Sequence, residues 1–133
     1  MSTKNREFKL NNIKEQQDVV ATLLEDLAGA EVPRETVNDI RLALVEGINN
    51  AFIHGARSIE GEVSVSWHLN NRSIRIEIAD KGTGFEYSQE KFSQRKEDSL
   101  LCEGGMGVFL IQQVMDEIFY NEKGNVLCGL KTW

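Results

Sequence analysis

The sequence predicts a two-layer α+β sandwich in which helices cover one face of a mostly antiparallel sheet. Stretches with apolar residues at helical spacing precede segments whose polarity alternates, and short turns join the alternating segments as in β-hairpins. The regular strand–helix–strand alternation of a parallel sheet does not fill the chain. The length of 133 residues suits a single domain that covers residues 1–133.

The first part of the chain is predicted to hold one strand and two helices. A short strand lies near Phe8, and an apolar stripe at helical spacing predicts a helix over residues 12–28. Pro33 suits the first turn of a second helix, because proline is tolerated where the N–H has no partner. This second helix is expected to run to about Ala56.

The second part is predicted to hold two hairpins with a loop and a helix between them. Residues 63–69 and 74–78 alternate in polarity around an Asn-Asn turn, which predicts a hairpin. A long polar segment follows, and long loops in compact domains are usually functional or disordered. A third helix is expected over residues 108–119, and a last hairpin around Gly124.

Composition excludes several classes of protein. The formal net charge is −6, from 21 acidic and 15 basic residues, and an acidic chain without a dense basic run is poorly suited to bind nucleic acid directly. No apolar run reaches the roughly 20 residues of a membrane span, and the N-terminus lacks an apolar signal-peptide core. Cys102 and Cys128 form no metal or redox cluster, so we expect reduced thiols in a cytoplasmic protein.

The segment LALVEGINNAFIHG, residues 42–55, places polar side chains inside a predicted helix. Glu46 and Asn50 are four residues apart and therefore lie on one face. A carboxylate and an amide at this spacing can supply a base and a ligand for Mg²⁺. The alternative is a polar face exposed to solvent.

Small residues flank this polar stripe, and His54 follows it. The small residues are expected to leave room for an approaching ligand; they are Ala43, Gly47 and Ala51. His54 on its own is better interpreted as a structural histidine. The adjacent Asn49 is interpreted as structural or as support for the ligand.

Two glycine-containing segments are the other candidate sites. In DKGTGF, Asp80 ends a predicted strand and can accept a hydrogen bond from an amine, while glycines let the backbone approach a ligand. In GGMG, glycines directly precede a helix, whose free N–H groups bind anions. An ordinary turn and a flexible hinge are the respective alternatives. Neither segment completes the P-loop or the Rossmann pattern.

Together the three clusters resemble the Bergerat-fold ATPases, which include gyrase and the sensor histidine kinases. Glu46 and Asn50 match the N box of that superfamily, and the two glycine segments match its glycine boxes. The N box EGINNAFIHG and the GMG segment, followed by MDE, are most similar to those of the anti-sigma factor serine kinases. The resemblance covers nearly the whole chain and implies a Bergerat fold with a mixed, mostly antiparallel sheet.

The resemblance also implies a role for each matched residue. Glu46 would act as the base toward a serine hydroxyl, Asn50 would bind Mg²⁺, and Asp80 would accept from the adenine amino group. The glycine boxes would pass beneath the nucleotide and present amides to its phosphates; their residues are Gly82, Gly84, Gly105, Met106 and Gly107.

The resemblance places an ATP lid at about residues 86–104. Its basic residues are candidate phosphate partners, with a solvated loop as the alternative; they are Lys91, Arg95 and Lys96. Two residues depart from the family pattern. Glu103 puts a negative charge before the second glycine box, and Asn125 stands where relatives often carry a threonine that helps to hold adenine.

The implied function is an ATP- and Mg²⁺-dependent serine/threonine protein kinase that acts as an anti-sigma factor. Its partners would be an alternative sigma factor and a small antagonist protein, and relatives are often homodimers. Glu103 and the absent threonine motivate an alternative from another class, a nucleotide-gated binding module that transfers no phosphate. A third reading is an ATP-hydrolysing domain like those of gyrase and the heat-shock chaperone.

Overall fold

The structure is a computed structural model that describes residues 3–55, 60–80, 105–121 and 125–133. A 3₁₀ turn, Ile13–Glu15, precedes the first helix, and a π-helical turn, Ala51–Gly55, follows the second. The strands and helices, numbered in chain order, are β1 (Lys4–Asn12), α1 (Gln16–Gly29), α2 (Arg34–Asn50), β2 (Glu60–Leu69), β3 (Ser73–Asp80), α3 (Gly105–Val114), β4 (Glu117–Tyr120) and β5 (Val126–Thr132).

The five strands form one sheet in the order β1-β2-β3-β5-β4. All four pairs of neighbouring strands are antiparallel, and no parallel pair occurs among the strands that the structure describes. Helices pack on one face of this sheet, so the predicted α+β class is confirmed. The first strand is longer than the short strand expected near Phe8.

The main core lies between the sheet and the first two helices. Alternate residues of β2 and β3 point into it, because successive side chains of a strand face opposite sides. Residues three or four apart on the helices complete it, and burying each such aliphatic side chain contributes about 1.5–3 kcal/mol. The central buried side chains are Val19, Leu23, Leu27, Ile40, Leu44, Ile48, Val63, Val65, Trp67, Leu69, Ile74, Ile76 and Ile78.

A smaller core holds α3 and β4. It is formed by Ala43, Ile111, Met115, Ile118 and Leu127. Ala43 comes from α2 and Leu127 from β5, so this cluster attaches the third helix both to the second helix and to the sheet.

The prediction that the third helix continues to residue 119 is wrong, because residues 117–120 form β4. Lys131 Nζ donates to the carbonyl oxygen of Val114, the last helical residue, at 2.6 Å. The Asp116 carboxylate accepts from the backbone N–H and the hydroxyl of Thr132 at 2.7 and 2.9 Å. These contacts end the helix and turn the chain into the β4–β5 ladder.

The sequence pattern around Ile118 fits a helix and a strand equally well. Ile118 follows Ile111 by two helical turns, and it also faces inward in β4, where it pairs with Gly129. Short apolar runs cannot be assigned by periodicity alone. The hairpin predicted around Gly124 is confirmed as β4 paired with β5.

A buried carboxylate connects α1 to the first two strands. Asp26 accepts from Arg6 Nε at 3.0 Å and from Arg6 Nη2 at 2.9 Å. Trp67 Nε1 donates to the same carboxylate at 3.1 Å. Arg6 lowers the pKa of Asp26, with a smaller contribution from the Trp67 hydrogen bond, against the opposing effect of burial.

The small residues of α2 and of the π-helical turn that follows it face the protein interior and leave no room for a ligand, so that prediction is wrong. Ala43 and Ala51 are buried in the two cores. A Cβ atom built on Gly47 would lie 2.4 Å from Ile78 Cδ1 and 3.5 Å from Leu127 Cδ2. Gly47 therefore brings α2 against β3 and β5.

Replacing Gly47 with leucine should lower the free energy of unfolding by about 1–3 kcal/mol, the range for overpacked cores. Gly29 offers the matched control, because nothing lies within 4 Å of a Cβ built there. Gly29→Leu adds the same side chain to the last residue of α1, where it meets no neighbour, and we expect it to be neutral or stabilising. Urea unfolding of both variants tests this, and equal stabilities would contradict the close contact at Gly47.

None of the helices in the described ranges is long and apolar enough to cross a bilayer. Cys128 is a free, buried thiol, and burial raises its pKa.

Candidate functional site

The C-terminal half of α2 presents two of the predicted site residues on one face. Glu46 and Asn50 are both half-buried, and the helix is regular from one to the other, so their side chains lie one turn apart. Asn50 Nδ2 is buried. Among the described residues, it is the one buried side-chain nitrogen or oxygen atom that has no hydrogen-bond partner. Leaving such a group unpaired costs about 1–3 kcal/mol, so this amide is suited to a bound group.

The backbone widens directly after Asn50. Residues Ala51–Gly55 form a π-helical turn instead of the α-helix predicted to about Ala56. Phe52, fully buried, anchors this turn in the main core. Single π-helical turns inside helices frequently occur at functional sites. Asn50 thus stands where the α-helical geometry changes.

Asp80 is the last residue of β3 and lies on the helix-covered face. It is two residues beyond the buried Ile78, so the two side chains share that face about 7 Å apart along the strand. Because Gly47 contacts Ile78, the C-terminal half of α2 lies over this end of β3. The structure therefore brings Asp80 to the same side of the fold as Asn50.

Asn125 lies directly beside Asp80. The backbone N–H of Asp80 donates to the carbonyl oxygen of Asn125 at 2.9 Å. Asn125 Nδ2 donates in turn to the carbonyl oxygen of Asp80 at 3.4 Å. The residue that departs from the family pattern thus contacts the backbone of the predicted adenine acceptor.

Helix α3 runs antiparallel to α2. Lys131 Nζ contacts both the carbonyl oxygen of Val114, at the end of α3, and Asp39 Oδ2, near the start of α2, at 2.6 and 3.6 Å. Ala43 packs against Ile111 further along both helices. The start of α3 lies about 9–10 Å from this contact, measured along the helix axis in the direction of Asn50.

The second glycine box occupies the first turn of α3, because the helix begins at Gly105. The prediction starts this helix at residue 108, so Gly105, Met106 and Gly107 belong to the helix and not to a preceding loop. The N–H groups of a first helical turn have no partner within the helix and carry a partial positive charge. They are therefore available to an anion.

Sequence reasoning left the role of Asn49 open. Its Oδ1 accepts from Gln16 Nε2 at 3.3 Å, which joins the end of α2 to the start of α1. This contact favours the structural interpretation of Asn49. No local signal could identify this contact, because the two residues are 33 positions apart.

Several predicted site residues lie outside the described residues. They are Gly82 and Gly84 of the first glycine box, the lid at residues 86–104 with Lys91, Arg95 and Lys96, and Glu103. The structure describes the other predicted site residues at the ends of three elements: Glu46 and Asn50 in the last turns of α2, Asp80 at the end of β3, and the backbone of Gly105, Met106 and Gly107 at the start of α3.

The donor set fits a magnesium ion that arrives with phosphates. Among the described residues, no group of three or more His, Cys, Asp or Glu side chains is close enough to hold a metal ion. Mg²⁺ in phosphoryl-transfer sites is usually held by one or two protein oxygens together with substrate phosphates and water. The amide of Asn50 can supply one such oxygen, since its two ends exchange by a half-turn of the side chain.

Comparison with known proteins identifies similar chains. Residues 9–129 match a family model described as a histidine kinase-like ATPase domain. Three curated relatives are each named serine-protein kinase RsbW. The protein from Listeria innocua serovar 6a is 28% identical over 101 residues, which cover 70% of this chain and 64% of the relative.

The other two relatives come from Staphylococcus aureus (strain MSSA476) and Oceanobacillus iheyensis. They are 31% identical over 98 residues and 33% identical over 99 residues, covering 68% and 70% of this chain. The matched segments cover 62% and 63% of those relatives. The chain thus spans less than two thirds of the length of each relative.

Proposed function

We propose that this chain, which belongs to the histidine kinase-like ATPase domain family, is an ATP-dependent serine/threonine protein kinase. It acts as an anti-sigma factor in a bacterial partner-switching circuit, where it binds an alternative sigma factor and phosphorylates a serine of a small antagonist protein. The observation that carries the proposal is the buried, unpaired Nδ2 of the Asn50 amide, one helical turn from Glu46. The names of the relatives support the reaction class.

Each residue of the site has a separate task in this proposal. ATP would supply the phosphoryl group and Mg²⁺ would neutralise its charge, so the protein contributes mainly positioning. Asn50 holds the ion, and Glu46 accepts the proton of the serine hydroxyl. Asp80 accepts from the adenine amino group. The first turn of α3, which begins at Gly105, donates N–H groups to the phosphates.

The remaining predictions complete the proposal. Gly82 and Gly84 let the chain pass beneath the nucleotide, and residues 86–104 form the lid of a single domain over residues 1–133. The protein works in the cytoplasm as a homodimer, without a membrane or nucleic acid partner. The net charge of −6 supports the absence of direct nucleic acid binding.

Replacing Asn50 with alanine should weaken Mg²⁺-dependent ATP binding by at least about tenfold, because it removes the proposed metal ligand. Asn49→Ala is the matched control, since it deletes a neighbouring amide that contacts Gln16 instead. That variant should lose about 1 kcal/mol of stability and keep its nucleotide affinity. Calorimetric titration with ATP, with and without Mg²⁺, distinguishes the two, and unchanged binding by Asn50→Ala would remove Asn50 from the metal site.

The function itself is tested with the protein partners that co-purify with the chain. ATP is titrated while partner affinity and incorporation of phosphate into serine are followed together. Transfer to the antagonist supports the kinase. Nucleotide-dependent partner affinity without incorporation would favour the nucleotide-gated binding module.

A further inference from the structure

An asparagine pair closes the turn between β4 and β5. Asn121 Oδ1 accepts from the backbone N–H groups of Asn125 and Val126 at 3.0 and 3.2 Å. Asn121 Nδ2 donates to Asn125 Oδ1 at 2.8 Å. The side chain of Asn121 thus uses both ends of its amide within this turn.

The bond from Asn121 Nδ2 fixes the orientation of the Asn125 amide. Because Asn125 Oδ1 faces Asn121, its Nδ2 faces the other way, where it donates to the carbonyl oxygen of Asp80. A reversed amide would place two oxygens against each other. Asn125 therefore contacts both backbone groups of Asp80. The carbonyl oxygen of Asn125 accepts from the N–H of Asp80, and the Nδ2 of Asn125 donates to the carbonyl oxygen of Asp80.

We infer that Asn121 is a positioning residue for nucleobase recognition, acting through Asn125 on the backbone of Asp80. The inference rests on the proposed function, in which Asp80 accepts from the adenine amino group. Guanine carries a carbonyl oxygen where adenine carries that amino group, so a well-placed acceptor rejects GTP. An acceptor that shifts loses contact with adenine and discriminates less.

The experiment measures the dissociation constants of ATP and GTP and compares their ratio among variants. Asn121→Ala removes all three hydrogen bonds of the side chain. Asn121→Asp keeps an acceptor for the two backbone N–H groups but cannot donate to Asn125 Oδ1. The Asn125 amide then turns its Nδ2 toward the new carboxylate and releases the carbonyl oxygen of Asp80. Both variants should lower the preference for ATP by about fivefold to tenfold, the effect of about one hydrogen bond.

Asn70 provides a matched control. Its Oδ1 accepts from the backbone N–H groups of Arg72 and Ser73 at 2.8 and 2.7 Å, in the β2–β3 turn. Ser73 opens β3 and Asp80 ends it, so this turn lies about 23 Å from the nucleobase end of the site. Asn70→Ala should lower the melting temperature as much as Asn121→Ala does, and leave the ATP-to-GTP ratio within about twofold of the original.

The outcomes separate this inference from the proposed function. Asp80→Ala should abolish the preference for ATP. If it does, and both Asn121 variants still discriminate as the original protein does, the positioning role is overturned while the adenine assignment stands. If Asp80→Ala keeps the full preference, the adenine assignment itself fails, and the inference fails with it. A loss of preference in Asn70→Ala equal to that in Asn121→Ala would assign the effect to general stability and also overturn it.

Discussion

Replacing Glu46 with glutamine is expected to slow phosphoryl transfer by about 10²–10⁴-fold, the usual contribution of a positioned general base. Glutamine keeps the shape and polarity of the side chain but cannot accept the proton of a serine hydroxyl. Nucleotide affinity should change by less than about threefold, because the proposed metal contact belongs to Asn50 and the proposed adenine contact to Asp80. The measurement is single-turnover transfer to the proposed antagonist, together with the dissociation constant of ATP.

Glu35 supplies the control for this prediction. It lies in the first turn of the same helix and is exposed, so Glu35→Gln removes an equal charge without touching the site. Transfer by this variant should match that of the original protein. If Glu46→Gln transferred phosphate at an undiminished rate, Glu46 could not be the base.

The largest expected loss of stability follows from replacing Asp26 with alanine, which should lower the free energy of unfolding by about 2–4 kcal/mol. The carboxylate is 3% exposed and accepts three hydrogen bonds, two from Arg6 and one from Trp67. Its removal leaves the indole N–H without an acceptor in the core. Glu25→Ala changes an exposed carboxylate on the same helix and should stay within about 0.5 kcal/mol. Chemical unfolding at pH 7 measures both variants, and similar losses would contradict the prediction.

The contribution of Asp26 should also depend on pH. Its pKa is lowered in the folded protein, first by the hydrogen bond from Arg6, so the unfolded chain takes up the proton before the folded one does. The stabilisation is complete above the unfolded pKa of about 3.9 and disappears as the pH falls through the folded pKa. The stability gap between the original protein and Asp26→Asn should therefore narrow in acid.

Asp116 does not affect this comparison of the two proteins. Its pKa is also lowered, chiefly by the backbone N–H of Thr132, so it adds to acid unfolding of both proteins and cancels in the difference. If the difference in unfolding free energy between the original protein and Asp26→Asn stayed constant between about pH 7 and pH 2, the Asp26 carboxylate would not be stabilised by its hydrogen-bond partners.

Local sequence patterns predicted the elements and the order of the fold well. The alternation of β2 and β3 and the apolar stripes of α1 and α2 reflect burial on one side of each element, which any single element records in its own residues. The end of α3 could not be predicted from local patterns, because the residues that contact it, Lys131 and Thr132, belong to the last strand. The contacts of Asp26 likewise join residues 20 and 41 positions apart.

Only the site residues that belong to recognisable sequence motifs could be predicted. The spacing of Glu46 and Asn50 determines that they share a face of α2, and this holds in the structure. The spacing does not show which neighbouring face meets the sheet, so Gly47 was misread as room for a ligand. Only the three-dimensional path of β3 and β5 decides that question.

The contact between Gly47 and Ile78 has an evolutionary consequence. A methyl group added at position 47 would meet the end of the Ile78 side chain, so Ile78 would have to move or shorten to make room, and the two positions should not drift independently. A substitution that lengthens residue 47 should be accepted more readily together with one that shortens residue 78. Among chains that keep this crossing of helix over sheet, the combined side-chain volume at the two positions should therefore vary less than the volume at either position alone.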